Sequence, residues 1–112
     1  MNEYKFEYAT EKFRQAVTHL AASGDPLAVR VRDVYSSYLA WVNPNKDLPI
    51  SLKEEADKLF STLSGEADFS DRNRVSENIK QLNDRALGSI CVRTVRIFDK
   101  LCRYLPLQDK SF

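Results

Sequence analysis

At 112 residues, with 43% hydrophobic and 29% charged residues, the chain has the composition of one globular domain that builds a core without disulfides or a metal. No apolar run approaches the ~20 residues needed to cross a bilayer, and three glycines and four prolines are too few for a loop-rich or disordered chain. The net charge of +1 hides an asymmetry, because residues 47–71 hold seven Asp/Glu against two Lys/Arg and residues 72–112 hold nine Lys/Arg against four Asp/Glu. Acidic and basic segments are therefore expected to pack side by side or to present opposite surfaces.

Helix one is expected from about Glu3 to Ala22. Phe6, Ala9, Phe13, Ala16, Val17 and Leu20 recur mostly at steps of three and four and define its buried face, with Tyr4 and Tyr8 at the edge. Ser23-Gly24 is a stop signal, since glycine accepts the left-handed conformation common past a helix end. Asp25-Pro26 restarts the chain as N-cap and first helical residue. Helix two, about Pro26 to Val42, carries Leu27, Val31, Val34, Tyr35, Tyr38, Leu39, Trp41 and Val42, which cover more than one face. A helix of that breadth is central to its bundle or covered by another molecule. Tyr35, Tyr38 and Trp41 are the expected partner-binding residues, because aromatics are enriched at interfaces.

Asn43 to Asp47 is dense in turn formers and reads as a loop. Ser51-Leu52-Lys53-Glu54 fits a capping box for helix three. That helix runs to Leu63, with Leu52, Ala56, Leu59, Phe60 and Leu63 inward and Gly65 as its stop. The acidic connection Glu66 to Asp71 leads into a short helix four, Asp71 to Leu82, with Val75, Ile79 and Leu82 inward. Asn83 then caps the longest helix, which continues to Leu105 and ends before Pro106. Its apolar stripe is Leu87, Ile90, Cys91, Thr94, Phe98, Leu101 and Leu105, widened by Ile97 and Cys102. The spacing predicts an all-α fold: a single-domain bundle over residues 1–105 with four main helices and one short one, mostly up-and-down, and a loose tail over 106–112.

The opposite side of the last helix carries Arg85, Ser89, Arg93, Arg96, Lys100 and Arg103, again at steps of three and four. Arg85, Arg93, Arg96, Lys100 and Arg103 are the candidate polyanion-binding residues, since the planar arginine fork suits phosphate or carboxylate. A sequence pI of about 7.7 and the lack of aromatics along this stripe argue against a nucleic-acid role. Metal chemistry has little to draw on: His19 is the one histidine, and no Cys-x-x-Cys occurs. Cys91 and Cys102 are 11 residues apart on one helix, about 16 Å along its axis. A disulfide allows roughly 7 Å between Cα atoms, so both read as buried free thiols. No phosphate-binding glycine loop or nucleophile elbow is present, and no cofactor is expected.

The stretch Arg14-Gln15-Ala16-Val17-Thr18-His19 resembles the Arg-x4-His motif of HEPN-type ribonucleases, a family of small helical bundles. The resemblance covers six residues and implies metal-independent RNA cleavage across a dimer, with Arg14 and His19 as the acting pair. The chain departs from the family at Gln15, where Asn, Asp or His is usual, and in carrying the motif on its first helix. Five residues of helix also turn through about 140°, which separates the two side chains. The expected function is a small cytoplasmic protein-binding or regulatory module that acts through contacts and self-associates through helix two. A start at Met1 to Glu7 without the basic-then-apolar order of a signal peptide underlies the compartment. Nucleic-acid binding by the basic face, and a HEPN-like nuclease, are the alternatives.

Overall fold

The computed structural model describes residues 6–104. Five α-helices follow one another there: α1 (Glu7–Ala22), α2 (Leu27–Ser37), α3 (Lys53–Ser64), α4 (Arg72–Gln81) and α5 (Asp84–Cys102). Two 3-10 turns, Leu39–Trp41 and Ile50–Leu52, lie between α2 and α3. No strand occurs among the described residues, and the helical bundle expected from periodicity is the fold. Glu3 and the tail 106–112 lie outside the described residues, but α1 begins only after Phe6, and α5 ends at Cys102 with residues 103–104 in a turn, short of the predicted Leu105. α5 packs against α1, α2 and α3, and α4 closes the bundle against α2 and α3. No described helix is long and apolar enough to cross a membrane.

The core is built from the inward positions of all five helices. Ala9, Phe13, Ala16 and Leu20 of α1 meet Val31, Val34 and Tyr35 of α2, and Ala56, Leu59, Phe60 and Leu63 come from α3. Val75 and Ile79 of α4 join them. On α5 the fully inward line is Leu87, Ile90, Thr94, Ile97 and Leu101, spaced 3, 4, 3 and 4. Ile97 is therefore central, while Cys91 and Phe98 sit half-buried at the margin. Thr94 is tolerated inside because its hydroxyl donates to Ile90 O at 2.7 Å. Each fully buried aliphatic or aromatic side chain contributes about 1.5–3 kcal/mol through removal from water.

Helix two is shorter than its apolar run predicts. The α-helix ends at Ser37, Tyr38 takes φ −128° and ψ −57°, and the chain tightens into the turn at Leu39–Trp41. Leu39 and Val42 are both buried. A 3-10 turn, with three residues per turn, eclipses positions three apart and sends both inward, which leaves Trp41 outside. The broad apolar circumference of α2 is also absorbed within the chain, because α1, α4 and α5 all pack against it.

The ends of the helices show where local signals held. Asn83 caps α5 by accepting from the Ala86 N–H at 2.8 Å, and Asp71 caps α4 by accepting from the Arg74 N–H at 3.2 Å. The capping box at Ser51 does not form. Ser51 lies in the 3-10 turn with its hydroxyl bonded to the Tyr104 hydroxyl, and α3 begins at Lys53 without a side-chain cap. Gly24 is not left-handed, since Ser23 already leaves α1 in an extended conformation. Asp25 caps nothing through its side chain, and Arg30 secures this turn by donating to Leu20 O and Asp25 O, both at 2.8 Å. Gly65, with φ +61°, does end α3 in the left-handed region. Asn78 of α4 crowds the space where a Cβ would stand there, and its amide donates to Leu63 O at 2.8 Å.

Candidate functional site

The 3-10 turn after α2 decides which aromatic residues meet solvent. Tyr35, expected on a contact surface, has no exposed area. Its ring meets Phe69 edge-on at 5.1 Å between centroids, and its hydroxyl donates to Phe69 O. Burial pushes the Tyr35 phenol above its ordinary pKa, opposed by the Arg72 charge. Tyr35 thus presents no surface to a partner, because α2 is gripped from several sides. Tyr38 is half-buried and tilted against His19 at 6.4 Å. Trp41 is 55% exposed.

Two neighbours hold Trp41 where it stands. The Arg72 guanidinium, from the first residue of α4, lies 4.7 Å from the centre of the indole. The Tyr8 hydroxyl of α1 donates to Trp41 O at 3.4 Å, and Tyr8 is itself 48% exposed. The Lys12 ammonium lies 5.6 Å from the centre of the Tyr8 ring. Two exposed aromatics and two cations, drawn from three separate elements, therefore make one patch. The sequence placed Tyr8 only at the edge of α1 and gave no signal for Arg72, which is 31 positions from Trp41 and reaches it through the α2–α4 packing.

Arg14 and His19 do border one groove of about 420 Å³, together with Gln15, Thr18, Ala22, Ser23 and Tyr38. They are differently engaged. The Arg14 Nε donates to Glu11 Oε1 at 3.2 Å, and its guanidinium lies 5.6 Å from the Phe98 ring of α5. The His19 Nε2 is enclosed without a hydrogen bond, 3.8 Å from Asp33 Oδ2. Arg14 is thus committed toward α5 and His19 toward α2, in keeping with their rotation around α1.

The basic residues of α5 divide in the same way. Arg93, Arg96 and Lys100 border a groove with Ser51, Glu54, Glu55 and Lys58 of the α3 region. Lys100 Nζ pairs with Glu55 Oε1 at 2.9 Å, so acidic and basic segments do meet side by side. Arg103 pairs with Asp99 at 3.0 Å. Arg85 stands exposed at the other end of the helix. Three of the five candidates thus share one groove with Glu54 and Glu55 of α3, while Arg103 and Arg85 are not among its lining residues.

The cysteines also separate. Cys91 is half-buried, and desolvation raises its thiol pKa, opposed by the Arg30 charge. Cys102, expected beside the core, is exposed. Leu101 takes the inward position at that turn, and one further residue rotates Cys102 away by about 100°. Among the described residues no three His, Cys, Asp or Glu side chains come together as a metal ion requires. No protein-family model, curated protein or solved structure matches the chain.

Proposed function

We propose that the chain is a small cytoplasmic protein-binding module, regulatory through its contacts, and that the patch around Trp41 receives the partner. The observation that carries this reading is the exposed indole under the Arg72 guanidinium, on a backbone whose carbonyl accepts from the Tyr8 hydroxyl. Tryptophan, tyrosine and arginine are the residue types that dominate binding energy at protein interfaces. An aromatic already held in place also loses less freedom on binding than a mobile one. Arg72 and Lys12 beside the rings suit a partner segment that pairs an apolar side chain with carboxylates. Free thiols such as Cys91 and Cys102 accord with a reducing compartment.

Trp41 is the chain's single tryptophan, so its emission reports on this patch directly. Titration with acidic peptides that each carry one aromatic residue should produce a saturable blue shift. Arg72→Ala and Tyr8→Ala should weaken that response while helix content stays unchanged. Emission indifferent to every such peptide, together with identical partner recovery by wild type and Trp41→Ala, would overturn the reading.

A further inference from the structure

The outer side of α5 carries a feature that its own bundle does not explain. Val92 and Val95 are 52% and 47% exposed on the longest helix of the fold. They lie on one line with Arg85, Gly88 and Asp99, at steps of 3, 4, 3 and 4, opposite the buried line through Ile90 and Leu101. A Cβ added at Gly88 would meet nothing within 4 Å. Glycine inside a helix costs about 1 kcal/mol relative to alanine, and no contact among the described residues calls for it. The ridge is apolar at its centre and oppositely charged at its two ends, Arg85 toward the N-terminus and Asp99 toward the C-terminus.

We infer that this ridge pairs with the same ridge of a second copy, the two α5 helices running antiparallel about a two-fold axis at Val92. The charge pattern selects that occupant and that direction. With residue 92 level with its counterpart, Arg85 stands opposite the second copy's Asp99. The match occurs twice by symmetry. Parallel pairing would instead set Arg85 on Arg85, Arg96 on Arg96 and Asp99 on Asp99, which repel. The present partner of Asp99 is Arg103, in an ion pair whose side chains are 62% and 74% exposed. Such an exposed pair is readily exchanged, being worth little. Gly88 lets the second backbone come close beside the valines. The ridge shares no residue with the Trp41 patch, so either can fail alone.

Sedimentation equilibrium of the full chain should show an average mass rising with concentration from 12.9 kDa toward twice that value. Arg85→Asp should lower the association constant by about tenfold or more, and adding Asp99→Arg should restore it, because the swapped charges again face each other. Val92→Cys in a Cys102→Ser background should form a disulfide-linked dimer under mild oxidation. Arg85→Cys in the same background should not, since its counterpart lies about 21 Å away along the axis. Circular dichroism checks that each variant keeps its helix content. A wild-type mass that stays monomeric up to the solubility limit overturns the inference. So does a folded Arg85→Cys that crosslinks as readily as Val92→Cys.

Discussion

Tyr35 shows how one side chain can be read correctly as important and wrongly as exposed. Its ring packs edge-on against Phe69, which in turn stacks on Phe60 at 4.4 Å. Its hydroxyl satisfies the Phe69 carbonyl in the connection between α3 and α4. Tyr35→Phe should keep the packing but orphan that carbonyl, at a cost of about 1–3 kcal/mol measured by urea unfolding. A pH dependence accompanies this. The folded pKa is raised, so the phenol's contribution is complete below the unfolded value of about 10 and is lost as pH rises toward the folded value. Over that alkaline window wild type should lose stability that Tyr35→Phe does not. Equal alkaline slopes for the two proteins would count against a buried, hydrogen-bonded phenol.

Among the helices, capping separates signals that act locally from those that tertiary packing overrules. Asn83 and Asp71 accept from backbone N–H groups three residues on and fix the starts of α5 and α4. Asn83→Ala should destabilise the protein by about 1 kcal/mol, the usual value of such a cap. Ser51 has equally good local credentials, yet its hydroxyl is turned to Tyr104. Ser51→Ala should therefore change stability by less than about 0.5 kcal/mol, as exposed substitutions generally do. Thermal melts of both variants check the contrast, and a loss at Ser51 equal to that at Asn83 would restore the capping box. Helix two makes the same point through packing: Leu39 and Val42 reach the core together only by a change of helix type.

For the molecule as a whole, the distribution of charge decides between binding a polyanion and stabilising the bundle. Glu55, only 16% exposed, holds Lys100, which leaves fewer free cations than the stripe on α5 displays in sequence. If all four of Arg93, Arg96, Lys100 and Arg103 met phosphates, the log–log dependence of affinity on salt would have a slope near −3.6 for B-DNA. With Lys100 held by Glu55, three cations remain, and any nucleic-acid binding should show a slope of about −2.7 or shallower. Filter binding across a salt series measures this, and a slope near −3.6 would mean that the stripe acts as a unit.

Helix number, inward faces and two caps were legible in the sequence, because each rests on spacing along one helix, whereas composition left open whether acidic and basic segments would meet or face apart. Leu63, Ile79 and Leu101 reach the core wherever the helices finally lie, since period and burial are locally coupled. What only the tertiary structure decided was exposure on the far sides. Tyr35 went inside because α2 is packed from several directions, and Trp41 went outside because the 3-10 turn rotated it there. Arg72 reached Trp41 across 31 positions of chain, and Val92 and Val95 stayed in solvent because no helix of the bundle covers that side of α5. A single-helix pattern fixes which residues share a face. Which face is covered depends on where the other helices come to rest.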